Sequence, residues 1–355
     1  MDAHNGPIQG VSISRSGLCI ATYDHHWSII IWDAISGGVK REWLTADVHF
    51  GASISPDGMR LATADDTEIT IWNAEHGTIL STIPVYSLDG PFPESITWLT
   101  DDILFFNDRV SLIYIWDIKK ASMVRRIPAR KRECTLDCVL RISDDGMWAI
   151  LREALGRPTE LWRLTDGALH HTLEIYDETR DQKTDLISTA FDVPHNTFTG
   201  MDSHGTVFRW NIETGERLHH VRVDGFSVTG IVRRILKSVV SRNGDWVCWT
   251  MDDDTRKVAH IAETKEGRRI WSTHGHRYTL ESIQFSPDGE LLATSSRDCA
   301  LRLWRTRDGT CVASETHPKK WPAQLAFSED GELLVMGAYD GTIRIIRIRD
   351  LEEME

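Results

Sequence analysis

Pairs of adjacent histidines are the first residues of this sequence that could do chemistry, because imidazole binds metal ions and transfers protons near neutral pH. There are three such pairs: His25-His26, His170-His171 and His219-His220. A metal site needs side chains that converge to about 2.1 Å from one ion. Neighbours on a strand point to opposite faces of the sheet, so we interpret these pairs as unsuited to a shared ion. The sequence predicts no metal site.

The cysteines and one acidic triplet are the other groups with metal-ligating chemistry. Cys134 and Cys138 stand close together among the six cysteines. On an extended strand, however, four residues span roughly 13 Å, which is too far for one ion. The triplet at 252–254 lies in a predicted hairpin turn, where aspartates serve turn geometry. We therefore predict free thiols in a reducing compartment and no cofactor.

Catalytic patterns are equally sparse. The sequence has no nucleophile elbow, no phosphate-binding glycine loop and no paired-carboxylate spacing. His276 and Asp298 have the residue types of a catalytic dyad, and a structural role is the competing interpretation. We predict that the chain is not an enzyme.

The charge balance excludes a general binder of nucleic acids or anionic membranes, because the formal net charge is −13. One local exception is the basic segment 125–132, RRIPARKR. Such a cluster can bind an acidic or phosphorylated peptide or act as a nuclear-localisation element, and the alternative is a solvated loop. No run approaches the about 18 apolar residues that a membrane span needs, and the first ten residues lack the pattern of a signal peptide.

The candidate residues described above lie in or between short predicted strands that form a repeated unit. The segment 275–309 contains three strand-like runs, Ser282–Ser286, Leu291–Ser295 and Ala300–Trp304, separated by tight turns. A fourth run follows a further turn at Asp308-Gly309. Four antiparallel strands in about 40 residues form a sheet that cannot bury both faces alone, so we expect it to pack against copies of itself.

Further copies are marked by a tryptophan at the end of the third run. The series, spaced 40 to 48 residues apart in its first part, comprises Trp32, Trp72, Trp116, Trp162 and Trp210, followed by Trp304. The interval before Trp304 fits two units, of which the first, around Trp246–Met251, lacks this tryptophan, and a last unit ends at Ile346. Eight units of roughly 44 residues account for the whole chain, 1–355, as one domain; seven units is the alternative.

This pattern resembles the WD-repeat β-propeller family. Trp32-Asp33 and Trp116-Asp117 carry the dipeptide that names it, and Gly275-His276 matches the Gly-His that precedes the first strand of a blade. The resemblance implies an all-β fold, a propeller of eight four-stranded blades, although the last unit offers only three clear strand runs. Fold alone says little about function, because this scaffold carries many roles.

The resemblance also implies a hydrogen-bonded tetrad within a blade. In unit 7 it consists of His276, Thr294 (or Ser296), Asp298 and Trp304, which makes the His276–Asp298 pair structural. In unit 1, His4 holds the position of His276. The residue six positions before the anchor tryptophan is His26 rather than aspartate, so we predict that this tetrad is broken.

As for function, the resemblance implies a non-enzymatic scaffold that binds partners on one rim. That rim consists of the loops leading into the first strands and the turns between second and third strands. Candidate residues on it are Phe50, Phe92, Arg109, Arg234, Arg297, Trp321 and Tyr339. Arginine and aromatic residues are typical of interface hot spots, so we expect protein partners, acidic or phosphorylated, within a larger complex in the cytoplasm or nucleus. The alternatives are an enzyme centred on the channel and a phosphopeptide-recognition subunit of a regulatory complex.

Overall fold

The chain folds almost entirely into strands. The computed structural model describes residues 4–45, 51–85, 93–108, 113–127, 140–151, 158–177, 182–224, 235–251, 257–316 and 321–352. Helical segments are short, such as the 3-10 turn at Val193–His195 and helix α1 at Ile348–Glu352. Backbone contacts divide the chain into two compact units, the first formed by Met1–Leu136 with Lys319–Glu355 and the second by Asp137–Pro318.

The first unit contains four sheets, here called blades 1, 2, 3 and 8, in which consecutive strands pair antiparallel. Blade 1 comprises β1 Ile8–Ile13, β2 Cys19–Asp24, β3 Ser28–Asp33 and β4 Val39–Leu44. Blade 2 comprises β5 Ala52–Ile54, β6 Arg60–Ala64, β7 Glu68–Asn73 and β8 Ile79–Pro84. Blade 3 comprises β9 Pro93–Trp98, β10 Ile103–Asp108, β11 Ile113–Asp117 and β12 Ser122–Ile127. Within the described residues blade 8 has three strands, β31 Pro322–Phe327, β32 Leu333–Ala338 and β33 Ile343–Arg347.

The second unit contains blades 4 to 7. Blade 4 comprises β13 Leu140–Ile142, β14 Trp148–Leu151, β15 Thr159–Arg163 and β16 Ala168–Leu173, and a small hairpin follows with β17 Tyr176–Asp177 and β18 Gln182–Lys183. Blade 5 comprises β19 Leu186–Asp192, β20 Thr197–Asp202, β21 Thr206–Asn211 and β22 Arg217–Arg222. Blade 6 comprises β23 Ile235–Val240, β24 Trp246–Met251, β25 Ala259–Glu263 and β26 Arg269–Ser272. Blade 7 comprises β27 Leu280–Phe285, β28 Leu291–Ser296, β29 Ala300–Arg305 and β30 Cys311–Thr316.

These eight sheets confirm the predicted β-propeller and decide the blade count in favour of eight over seven. The unit without an anchor tryptophan is blade 6. There Val247 faces Ala262 across the second and third strands, where blade 7 pairs Leu292 with Trp304. Local strand pairing therefore survives the loss of the tryptophan.

The turn between first and second strands is set by local side chains. In blade 2, Gly58 has φ +77° and its N–H donates to Ser55 O at 2.9 Å. The Ser55 hydroxyl accepts the N–H of Arg60 at 2.9 Å and donates to Asp57 Oδ1 at 2.5 Å. Glycine reaches positive φ without the steric cost of a Cβ, so a short Ser-x-x-Gly sequence suffices to place the turn.

A β-bulge interrupts the pairing of third and fourth strands beside the anchor position in blades 1 to 7. In blade 1, Ile31 faces Arg41 and Trp32 faces Val39, so Lys40 is the extra residue. A bulge breaks the strict alternation of a strand and re-aims its side chains.

The hydrophobic core lies between neighbouring blades. Ile31 of blade 1 clusters with Leu61 of blade 2, both almost fully buried. In the second unit, Leu161 of blade 4 clusters with Phe198 and Phe208 of blade 5. Sheet faces that one repeat leaves exposed are thus buried by the next repeat, as the sequence analysis anticipates for a stacked architecture.

Candidate functional site

Blade 7 contains a chain of buried hydrogen bonds that joins two of its strands, a loop and a turn. Trp304 Nε1–H donates to Thr294 Oγ1 at 2.8 Å, and the same hydroxyl lies 2.8 Å from His276 Nε2. Nδ1 of His276 lies 3.1 Å from Asp298 Oδ2. Ser296, the other candidate for the hydroxyl position, instead donates to Tyr278 O at 2.8 Å. The four side chains thus link the third strand, the second strand, the loop leading into the first strand and the turn between second and third strands.

The electrostatics of this tetrad keep the imidazole neutral. Burial lowers the pKa of His276 to about 4, against the attraction of the Asp298 carboxylate. Its side chain is fully shielded from solvent. The Arg302 guanidinium, 2.7 Å from Nδ1, further disfavours a second positive charge. A shielded neutral imidazole suits a structural link between strands, because a substrate has no path to its nitrogens.

Blade 1 has the same arrangement, so the prediction of a broken tetrad is wrong. Trp32 Nε1–H donates to Thr22 Oγ1 at 2.8 Å, and Thr22 Oγ1 lies 2.7 Å from His4 Nε2. The carboxylate is Asp24, whose Oδ2 lies 3.3 Å from His4 Nδ1. His26, which the spacing singled out, is exposed on the turn.

The physical reason lies in the turn that follows the second strand. Asp24 Oδ1 accepts the backbone N–H groups of His26 at 2.9 Å and Ser28 at 3.0 Å, while Oδ2 faces His4. In blade 7 the aspartate stands third in the turn, whereas in blade 1 it stands first. A carboxylate at either position reaches the buried histidine because the two turns share their shape, with positive φ at Trp27 and at Cys299.

Blade 5 has a third version of this region. Gly200 occupies the position of the threonine, and a Cβ there would lie 2.7 Å from Leu186 Cδ1, so the leucine fills the space. Asp202, fully buried, accepts the N–H groups of His204 and Thr206 at 2.8 Å each. Burial raises its pKa. The sequence does contain a feature that could have identified this buried aspartate: Asp202 stands eight residues before the anchor tryptophan, as Asp24 does in blade 1.

The rim residues expected from the sequence are only partly described. Phe50, Phe92, Arg109 and Arg234 lie outside the described residues, as do the last three cations of the basic segment, Arg130, Lys131 and Arg132. Of the remainder, Arg297 belongs to the second unit and forms an ion pair with Glu281. Its guanidinium is thus already engaged with a neighbouring carboxylate.

Trp321 and Tyr339 form an aromatic pair on the rim of blade 8. Their rings meet edge to face with centroids 6.1 Å apart, and Tyr339 N–H donates to Trp321 O at 3.0 Å. The residues are 44% and 40% exposed. Such exposure of two large aromatic side chains is unusual for a surface without a partner.

The turn of blade 8 that carries Tyr339 contacts the loop leading into blade 1. Gly341, in the turn that carries Tyr339, has φ +82° and accepts the N–H of His4 at 3.4 Å. A Cβ on Gly341 would collide with the backbone of His4 and Gly6, so the two loops are in close contact. The adjoining turn of blade 1 exposes His26, whose ring lies against Gly6.

Tyr278, on the rim of blade 7, is a candidate that the sequence analysis missed. It is 63% exposed and follows the buried His276 by two residues. The signal was its position two residues after the Gly-His pair, in the loop leading into the blade.

The histidine pair on β16 does not diverge as expected. His170 Nε2 and His171 Nε2 lie 3.0 and 2.7 Å from the same atom, Glu213 O, with ring centroids 4.3 Å apart. Leu161 faces His171 while Trp162 faces Leu169, so His170 is the extra residue of a bulge. The expectation of opposite faces is therefore wrong here, because it assumes a regular strand.

Within the described ranges, no group of three or more histidine, cysteine, aspartate or glutamate side chains is arranged to hold a metal ion. Four cysteines in these ranges, Cys19, Cys248, Cys299 and Cys311, are free thiols. No helix in the described part of the chain is long and apolar enough to cross a membrane.

Comparison with known proteins agrees with this geometry. The sequence pattern described as "WD domain, G-beta repeat" matches residues 267–305 and 309–347. Apoptotic protease-activating factor 1 of Danio rerio is 31% identical over 341 residues, which are 89% of this chain and 24% of that protein. Eukaryotic translation initiation factor 3 subunit I of Candida albicans is 31% identical over 89 residues, 25% of each chain. The chain thus spans about a quarter of each of these relatives.

Among solved structures, the computationally designed Ika8 protein superposes with a TM-score of 0.70 at 17% identity, covering 98% of both chains, which is a likeness of fold. In fold, repeats and relatives the chain is similar to one class of protein, and together they support a WD-repeat β-propeller. Its similarity to WD-repeat relatives supports a general role as a protein-interaction scaffold.

Proposed function

We propose that this chain is a non-enzymatic interaction module, a single domain of eight blades, that holds a protein partner on its rim. The observation that carries the proposal is the aromatic pair Trp321–Tyr339, half exposed and joined edge to face. Rigid aromatic side chains supply large contact area with little loss of conformational entropy, and they dominate hot spots of protein interfaces. The buried, neutral imidazole of the tetrad fits this role better than catalysis.

The proposed charge of the partner rests on cations that the sequence analysis assigns to the rim. We propose that Arg297 and Arg109, with the basic segment 125–132, attract an acidic or phosphorylated partner. Arg297, whose side chain is half exposed, pairs with the less exposed Glu281, so a stronger anion has to displace this contact. Surface ion pairs contribute only about 0–1 kcal/mol, and a phosphate carries more charge and more acceptor oxygens than a carboxylate. We place the protein in the cytoplasm or nucleus, as part of a larger complex.

The experiment compares two double variants of the tag-free chain. Trp321→Ala with Tyr339→Ala removes the aromatic pair. Leu18→Ala with Met59→Ala removes side chains that are 48% and 60% exposed at the opposite end of the strands. Partners captured by the wild-type chain from extracts of its source are identified by mass spectrometry, and the dissociation constant of each purified partner is measured.

The rim variant is expected to weaken partner binding at least tenfold, whereas the control variant changes it less than twofold. Equal binding by wild type and rim variant would move the interface to another surface. Treating the partner with phosphatase tests the proposed charge. Unchanged binding after that treatment and after Arg297→Glu would reject the acidic or phosphorylated partner while leaving the interaction module intact.

A further inference from the structure

A cavity of about 370 Å³ lies between blades 1 and 2 of the first unit, at the end of the strands opposite to the rim. Sites for small molecules measure about 300–1,000 Å³ and combine apolar walls with a few polar groups. The wall here includes three apolar side chains and three polar or charged ones, namely Ile31, Met59 and Ala74, with Cys19, Lys40 and Glu75. The cavity therefore has the size and the lining of a site for a small molecule.

One wall of the cavity carries a thiol beside an ammonium group. Lys40 Nζ lies 3.5 Å from Cys19 Sγ and 3.0 Å from Asp33 Oδ2. Lys40 is the extra residue of the bulge in β4, and a bulge re-aims side chains. In five of the other six bulged blades the extra residue is aliphatic: Leu80, Val124, Leu218, Ile270 and Val312. Blade 1 thus has a cation where most blades have an apolar side chain.

The ion pair decides what Lys40 can do. Its hydrogen bond to Asp33 raises the pKa of Lys40, so the group stays an ammonium and acts as a hydrogen-bond donor rather than a base. An ammonium has three N–H donors, of which the contacts with Asp33 and Cys19 use two, so the third can serve an oxygen atom of a ligand. Glu75 in the wall and Asp33 beside it disfavour an anion. A neutral ligand with a carbonyl oxygen fits these charges.

We propose that Cys19 is a modification site for neutral α,β-unsaturated carbonyl compounds that carry an apolar chain. The chain lies against the three apolar side chains of the wall, and the carbonyl oxygen accepts a hydrogen bond from Lys40. Removal of the chain from water favours its binding. The electrophilic carbon is then held beside the thiol, which is the nucleophile.

The reaction is an addition with no leaving group and no oxidant. A bond forms between Cys19 Sγ and the β-carbon of the ligand, and the electron pair of its C=C bond moves to the carbonyl oxygen as an enolate. Lys40 donates a hydrogen bond to this oxygen and stabilises the negative charge. The thiol proton passes to water, and water returns a proton to the α-carbon. The net change adds S–H across the double bond, and Lys40 keeps its proton throughout.

Burial makes Cys19 selective for molecules that enter the cavity. Cys19 is 9% exposed, and Gly58 of blade 2, with φ +77°, packs on it so closely that a Cβ would lie 3.1 Å from its sulfur. Cys311 is exposed, whereas Cys248 is fully buried and burial raises its pKa. The three thiols therefore provide one reaction site inside a cavity and two internal references.

The test is alkylation of the full chain at pH 7 by acrolein and by trans-2-octenal, which differ in the length of the apolar chain. Peptide mapping by mass spectrometry gives the rate constant at each cysteine, and N-acetylcysteine gives the intrinsic reactivity of each reagent. After division by that reactivity, octenal is expected to modify Cys19 at least tenfold faster than acrolein does, because the cavity buries its chain. At Cys311 the same ratio should stay within twofold.

Variants test the roles of the wall residues. Lys40→Met should lower the rate constant at Cys19 at least fivefold. Lys120→Met is the matched control, because it removes a lysine that lies 2.8 Å from the corresponding aspartate of blade 3, Asp117, and it should change that rate less than twofold. Met59→Ala, which alters an exposed side chain, should reduce the preference for octenal.

The wild-type rates decide the matter even if a substitution impairs folding. A rate constant at Cys19 no higher than that at Cys248, or no preference of Cys19 for octenal, would overturn the proposal, as would an adduct on Lys40 in place of Cys19. An unchanged rate in Lys40→Met would overturn the role assigned to the ammonium group. The cavity lies at the opposite end of the strands from Trp321 and Tyr339, so none of these results bears on the partner-binding rim.

Discussion

Asp24 Oδ2 lies 3.3 Å from Nδ1 of His4, and both side chains are completely shielded from solvent. This contact makes blade 1 a second complete tetrad beside that of blade 7, although its aspartate stands at a different position of the turn. Because Asp24 also accepts two backbone N–H groups, it holds the turn and the loop leading into the blade at the same time.

Removing that carboxylate should destabilise the protein. Asp24→Ala leaves the N–H groups of His26 and Ser28 without this acceptor and removes the carboxylate beside His4 Nδ1. A buried group left without its hydrogen-bond partner costs about 1–3 kcal/mol. His26→Ala removes only an exposed ring and should cost less than about 0.5 kcal/mol. Urea denaturation of both variants measures the difference, and Asp298→Ala should resemble Asp24→Ala. Equal losses for Asp24→Ala and His26→Ala would contradict the tetrad of blade 1.

The buried histidines should make the protein sensitive to mild acid. The folded pKa of His276 is lowered by burial to about 4 from an ordinary value of 6.5, so the unfolded chain takes up the proton first. Stability is therefore full above pH 6.5 and is lost as the pH falls towards 4, by about 3 kcal/mol at most for this residue. Burial lowers the pKa of His4 too, with the same sign.

The check is urea denaturation between pH 7 and pH 4 for the wild type and for His276→Gln. The variant should be less stable at pH 7 but should lose less stability on acidification, because it lacks the group that titrates. Parallel curves for the two proteins would show that His276 is protonated equally in the folded and unfolded chains.

The aspartates of blades 5 and 7 should respond to pH with opposite signs. Burial raises the pKa of Asp202, so its contribution to stability is present below the unfolded pKa and is lost as the pH rises through the folded value. Burial also tends to raise the pKa of Asp298. The Arg277 N–H and the His276 imidazole outweigh this effect, so the pKa of Asp298 is lowered. That contribution is present above the unfolded pKa and is lost as the pH falls through the lowered folded value.

Substitution by asparagine removes the titration from either site. Asp298→Asn should therefore lower stability more at pH 7 than at pH 3.5, whereas Asp202→Asn should lower it less at pH 7 than at pH 3.5. Thermal melting of both variants and the wild type at the two pH values measures the difference. The same sign of pH dependence for both variants would contradict the raised pKa of the Asp202 carboxyl in blade 5.

Alanine substitutions at two glycines of blade 7 distinguish the cost of backbone strain from the cost of side-chain crowding. Gly289 and Gly309 have φ of +78° and +76°, so alanine at either should cost about 1–2 kcal/mol for the left-handed backbone. At Gly309 the new Cβ would lie 2.6 Å from Trp271 Cδ2, whereas the nearest atom to a Cβ at Gly289, Asn243 Nδ2, is 3.4 Å away. Gly309→Ala should thus cost about 1–3 kcal/mol more than Gly289→Ala. Equal melting temperatures would show that Trp271 moves aside freely.

The repeated unit, its strand positions and its turns were predictable from the sequence because they depend on neighbours along the chain. Glycine at positive φ, the Ser-x-x-Gly turn and alternation of apolar residues act within a few residues, so they identify a blade even where Ala262 replaces the anchor tryptophan. The tetrad of blade 7 was predicted from the family resemblance, and the structure has the hydrogen bonds that join His276 and Trp304 through the Thr294 hydroxyl.

The tertiary structure alone decided which side chains meet across that frame. Asp24 rather than a residue at the expected spacing faces His4, because a carboxylate at the first or the third position of this turn reaches the same buried nitrogen. A bulge turns His170 and His171 towards Glu213 O, since strand pairing rather than residue order sets where alternation breaks. The sequence by itself determined the repeated four-stranded unit, through local backbone preferences. The choice of eight blades over seven, and the contacts between strands and between blades, depend on register and packing and were decided only in the folded chain.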